Sequence, residues 1–143
     1  MADTGYNWSA WDYVQKSSTD WNDDALADAA TETSDEIDLD GKAACEIGVK
    51  LIEDNTGAID GTATIYVLGA TGDDGGGSEE WEEPGVGSPW SFTLTPVQND
   101  TVKKRFSVDP AHYGKCKVAV FNDAGQELAV TVEYRTAEIP AAS

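Results

Sequence analysis

Residues 43–51 read Ala-Ala-Cys-Glu-Ile-Gly-Val-Lys-Leu, and Ala43, Cys45, Ile47, Val49 and Leu51 alternate with Ala44, Glu46, Gly48 and Lys50. Successive side chains of a β-strand point to opposite faces, so this period-two pattern puts five apolar residues on one face and the charges on the other. The stretch EDNTGAIDG (53–61) then supplies the Asn, Gly and Asp of a turn. Beyond it GTATIYVLGA (61–70), β-branched and aromatic, reads as a central strand.

The same reading extends in both directions. Upstream, Ile37 and Leu39 alternate with acids from Ser34 onward, giving a short strand. Downstream, residues 71–89 (TGDDGGGSEEWEEPGVGSP) are acidic and rich in glycine and proline, and read as a long surface loop. Trp90, Phe92 and Leu94 form the next strand, ended by Pro96; Val102, Phe106 and Val108 form another, with a bulge expected near Lys104. Cys116, Val118 and Val120 share one face, NDAG at 122–125 reads as a hairpin turn, and Leu128, Val130, Val132 and Tyr134 close the set. The last two strands are therefore expected to pair as an antiparallel hairpin. Seven or eight short strands with no helical pattern between them predict an all-β, antiparallel two-sheet sandwich of jelly-roll or immunoglobulin-like type. The 143 residues suit one domain.

The first 33 residues differ. Tyr6, Trp8, Trp11, Tyr13 and Trp21 lie among almost no β-branched runs, and residues 17–41 hold acids but no base. Such composition is poor at forming its own core, yet each indole can bury on the order of 150–250 Å². Residues 1–33 thus read as an extended aromatic and acidic arm lying on its own sandwich or on a neighbour, with residues 34–137 as the sandwich and 138–143 as a tail. A short helix over 22–30, capped by Asp20 or Asn22, is expected within the arm. If the arm serves a neighbour, its removal leaves a folded sandwich.

Charge narrows the partners. With 27 acidic and 9 basic residues the formal charge is −18, which repels phosphate backbones and anionic lipid, so neither nucleic acid nor membrane is expected as a partner. The beginning, MADTGYNWSAWDY, lacks the cationic and apolar regions of a signal peptide, and the chain is expected to be made and kept in a cytosol. Cys45 and Cys116 lack a zinc-like spacing and read as buried free thiols, with a disulfide as the alternative.

No constellation for catalysis stands out. His112, the single histidine, sits between Pro110 and Gly114 in a turn. Asp73, Asp74, Glu79, Glu80, Glu82 and Glu83 offer oxygens to Ca²⁺ without the spacing of an EF-hand, so the loop reads as solvated. Carboxylates are so many that some pair must be close, which makes a glycosidase reading uninformative. Trp81, flanked by glutamates, either folds back on the sheet or anchors a partner. Lys103, Lys104 and Arg105, with Lys115 and Lys117 expected on a nearby strand, either guard an exposed strand edge or meet an acidic surface. No cofactor or metal is expected.

Residues 34–136 resemble a group of small phage virion proteins in their order of elements: EIDLD after a polar arm, GTATIYVLGATGDDG, an acidic loop with Trp, SFTL, then KKRFSVDPAHYGKCKVAVFNDAG and LAVTVEYRT. The resemblance implies a non-enzymatic capsid decoration (cement) or minor structural protein, located in the virion after assembly in the host cytoplasm. It implies a major capsid protein or another virion protein as partner, and a homo-oligomer. Tyr6, Trp8, Trp11, Tyr13, Trp21, Trp81, Lys103, Lys104 and Arg105 are then the candidate partner-binding residues. A carbohydrate-binding or host-attachment module of a phage tail is the alternative, in which exposed rings stack on sugars.

Overall fold

The computed structural model describes residues 5–53, 57–73 and 79–138. Among them the elements are strands: β1 Asn7–Trp8, β2 Asp12–Tyr13, β3 Gln15–Lys16, β4 Thr19–Asp20, β5 Asp24–Leu26, β6 Thr31–Thr33, β7 Ile37–Asp38, β8 Ala44–Ile52, β9 Thr62–Asp73, β10 Glu79–Trp81, β11 Trp90–Leu94, β12 Thr101–Val108, β13 Lys115–Asp123 and β14 Leu128–Glu138. Two antiparallel sheets pack around a shared core, and β3 and β4 form a separate small hairpin.

In the first sheet β8 lies between β12 and β14, and the far edge of β14 is taken in turn by β1, β2 and β5. Those three short strands are one interrupted edge strand: Trp8 pairs with Ala137, Tyr13 with Glu133 and Leu26 with Leu128. In the second sheet β9 and β13 are central, with β10 and β11 sharing the edge of β9 and β6 and β7 sharing the edge of β13. Taking each interrupted edge as one position, the chain is a nested hairpin. Its first position pairs with β14, its second (β6 and β7) with β13, its third (β8) with β12 and its fourth (β9) with β11.

The alternation seen in 43–51 is what fills the core. Cys45, Ile47, Val49 and Leu51 are each at most 1% exposed, and Val130, Val132, Ile65, Val67, Val118 and Val120 meet them from the other central strands. Ile37 and Leu39 are buried as their spacing implied. Residues 5–33 lie on their own sandwich, and Val14, Trp21 and Leu26 are inside its core.

Four local expectations are corrected. Residues 22–30 are not helical: Asp23 and Ala29 have positive φ, and the segment forms β5 instead. Leu26 is the one large apolar side chain there, so a helix would have had no apolar stripe, whereas the open edge of β14 offers backbone partners. The Asp23 N–H donates to Thr131 Oγ1 at 2.8 Å instead of serving a helix cap. Second, β13 and β14 do not form a hairpin; they belong to different sheets, and residues 124–127 arch between them. Buried Asn122 sets the arch. Its Nδ2 donates to Leu26 O and Gln126 O while Oδ1 accepts the Ala124 N–H, and Gly125 provides a φ of +83°. Third, residues 71–73 and 79–81 of the expected 71–89 loop are strands, because β9 runs on to Asp73 and β10 returns against it. Fourth, β12 has no bulge: its register runs unbroken from Thr101 opposite Ile52 to Val108 opposite Cys45, and the irregularity falls at Glu80/Trp81.

Candidate functional site

The outer face of the first sheet, away from the core, collects most of the singled-out residues. Outward positions of β8 are Glu46, Gly48 and Lys50; β12 places Lys103 opposite Lys50 and Arg105 opposite Gly48; β14 places Arg135 opposite Glu46 and Glu133 opposite Gly48. Onto this face the arm lays Tyr6, Trp8, Trp11 and Tyr13. Two sequence features, these arm aromatics and a cationic strip ninety or more positions further along the chain, thus meet on one surface.

Arg135 is its organising group. Its guanidinium carbon lies 4.4 Å from the centre of the Trp8 ring and 5.0 Å from that of Trp11. Its Nε and Nη2 both donate to Glu46 Oε1, at 2.8 and 2.5 Å. Two indoles on a cation that is itself held by a carboxylate fix the arm against β14 by cation–π attraction and charge-assisted hydrogen bonds. Glu46 also faces Arg105 at 3.4 Å. Tyr6 meets Trp8 edge-on, 6.2 Å between centroids and 87° between planes. Tyr6, Trp8 and Trp11 keep 50%, 36% and 38% of their surface exposed, enough to be touched by a partner.

Between Trp11 and β12 lies a cleft of about 250 Å³. Gly48 forms part of its lining, Lys50, Lys103, Lys104 and Arg105 bring positive charge, and Glu133 brings the one carboxylate. A Cβ at Gly48 would lie 3.7 Å from the Trp11 ring, so the indole rests on a strand that has no side chain there.

Two candidates fall elsewhere, and a third reaches the site from the other side of its strand. Trp21 is 1% exposed, inside the core with Lys16 Nζ 5.9 Å over its ring, and offers nothing to a partner. Trp81 folds back on the second sheet, where Lys117 Nζ stands 4.7 Å over its ring. Lys104 lines the cleft but occupies a core-facing register on β12, opposite Val49, while staying exposed at the sheet edge. Lys115 and Lys117 are not beside the 103–105 strip, since β13 is in the other sheet; Lys115 is ion-paired with Glu36 at 3.0 Å and Glu79 at 2.5 Å.

Arg135, Glu46, Gly48 and Lys50 were not singled out from sequence. The last three are the outward members of the alternation that fixed the fold, a signal that gains meaning once β8 is paired with β12. Arg135 sits in a plain polar position of a late strand, and nothing local marks it.

Among the described residues, the histidine, acids and cysteines weighed from the sequence lie apart from this surface. His112 is exposed in its turn, edge-on to Tyr113 at 4.7 Å. Among the described residues no three His, Cys, Asp or Glu side chains are placed to hold a metal ion. Of the acids weighed for calcium, Glu79 pairs with Lys115 and Glu82 accepts the Gly69 N–H at 2.7 Å, while Asp74 lies outside the described residues. Cys45 and Cys116 are buried and unpaired. Burial pushes both thiols up to about 12, with a smaller push from Glu46 on Cys45 and from Cys45 on Cys116. They are poor nucleophiles as a result. No helix is long and apolar enough to cross a membrane among the described residues.

No protein-family model matches this chain, and no curated protein sequence matches it significantly.

Proposed function

We propose that this chain is a non-enzymatic structural protein of a phage particle, a decoration (cement) protein held on the shell through contacts between proteins. The observation that carries the reading is the nested pairing of first position with last, second with seventh, third with sixth and fourth with fifth. That order matches a jelly roll, an eight-position double sheet used by viral capsid domains and also by lectins. It agrees with the resemblance of residues 34–136 to small virion proteins. The charge of −18 keeps free copies soluble before assembly.

A fold carries many functions, so the surface is weighed against the carbohydrate-binding alternative. Stacking on sugars calls for open, coplanar rings. Here Tyr6 and Trp8 stand perpendicular and Arg135 stacks on both Trp8 and Trp11. Exposed aromatics around a fixed arginine suit a contact with protein, where such residues supply most of the binding energy. The partner is then the major capsid protein or another virion protein, with neighbouring copies of this chain beside it.

Co-sedimentation tests the reading. Labelled chain should pellet with phage particles from its host, and a Tyr6→Ala/Trp8→Ala variant should do so about tenfold less well. A chain that stays in the supernatant with every particle but scores on a glycan array would support the host-attachment alternative instead.

A further inference from the structure

We propose that the cleft between Trp11 and β12 is a binding site for a short acidic peptide segment, Asp- or Glu-bearing, presented by a partner protein. The proposal stands on the cleft alone and holds whatever assembly the chain joins.

Three local rules are broken at this one place. Lys50 and Lys103 are directly opposite on neighbouring strands of the same face, where like charges repel and destabilise the pair. Gly48 interrupts the middle of a nine-residue strand, a position where glycine weakens the sheet and often marks close approach of another group. Trp11 is left 38% exposed above it. Glu133 lines the same cleft but makes no ion pair with Lys50, Lys103 or Lys104, and local rules broken together in this way are characteristic of functional sites.

The distribution of ion pairs sharpens the point. Among the described residues Lys16, Lys42, Arg105, Lys115 and Arg135 all have carboxylate partners, and Lys117 stacks on Trp81. Lys50, Lys103 and Lys104 have none, although acids outnumber bases threefold in the sequence. All three line the same cleft. In a chain with carboxylates to spare, three adjacent lysines without one point to an anion that comes from outside.

Size and chemistry favour side-chain carboxylates. About 250 Å³ accommodates one or two side chains and not a folded surface. The Trp11 wall shields the cations from part of the solvent, which strengthens attraction to a carboxylate. A sugar acid would need a free indole face, and Arg135 stacks on this one. A nucleic acid would bring its whole phosphate backbone against a chain of −18.

The test is a titration of the full-length chain followed by tryptophan fluorescence, with hexaglutamate as probe, hexaglutamine as neutral control, and inorganic phosphate and digalacturonate as other anions. Saturable binding of hexaglutamate is expected, weakening between about 20 and 300 mM salt. Lys50→Gln/Lys103→Gln should weaken it by about tenfold or more. Lys103→Glu should abolish binding and, by replacing a like-charge pair with an opposite one, raise the melting temperature of the free protein by about 1–3 °C. Equal binding of hexaglutamine, unchanged binding by the double variant, or binding of phosphate or digalacturonate without hexaglutamate overturns the proposal. So does a Lys103→Glu chain that is no more stable than the parent. None of these outcomes bears on whether the chain is found in particles, so this proposal and the virion reading fail separately.

Discussion

Trp21 lies in the arm by sequence and in the core by structure, at 1% exposure. Truncating so large a buried ring removes its transfer free energy and leaves a cavity, so Trp21→Ala should cost about 3–5 kcal/mol in denaturant unfolding, whereas Trp8→Ala on the exposed face should cost far less. Burial of the thiols gives stability a pH dependence whose sign follows from the raised values. Cys45 and Cys116 have folded-state values pushed up to about 12 from an ordinary value near 9, so the folded chain holds these protons more tightly than the unfolded one. Their contribution to stability is complete below about pH 9 and is lost as pH rises toward 12. Tyr113 and Tyr134, raised mainly by burial, act in the same direction, as does Lys16, whose ion pairs with Asp24 and Glu32 outweigh its burial. Thermal unfolding followed from pH 8 to 11 should show a falling midpoint, with a shallower fall in a Cys45→Ala/Cys116→Ala variant. Both thiols should also stay unreactive toward a disulfide reagent until the protein unfolds.

At the scale of elements, the arm is the piece whose role differs most between sequence and structure. Val14, Trp21 and Leu26 enter the core, and β1, β2 and β5 complete the edge of β14. Deleting residues 1–33 should therefore abolish cooperative unfolding, read by circular dichroism on heating; a truncated chain that melts as sharply as the parent would show the arm to be dispensable. Arg135→Ala should release the arm locally, shifting tryptophan emission while costing about 1–2 kcal/mol. Strands were legible because alternation is a local property of Cys45 to Leu51, Trp90 to Leu94 and Leu128 to Tyr134. Pairing was not, since a turn such as NDAG reads the same whether it joins neighbours in one sheet or arches between two. What decides it is Asn122, whose bonds reach Leu26, a residue 96 positions away. The helix expected over 22–30 failed for the same reason: the open edge of β14 is a partner that local propensity cannot see. Aromatics and cations of the candidate surface could be picked out singly, but their meeting depends on β8 lying between β12 and β14.

For the whole molecule, we propose that a nested two-sheet sandwich with aromatics and cations gathered on the outer face of its first sheet is placed on something larger. On the proposed reading, the acidic remainder limits non-specific adhesion and the aromatic, cationic face sets the direction of attachment. The most direct measurement is quantitative mass spectrometry of phage particles purified from the host and washed at high salt. A decoration protein should be present at a fixed ratio to the shell subunit in every preparation. A chain abundant in infected cells but absent from washed particles would contradict the account.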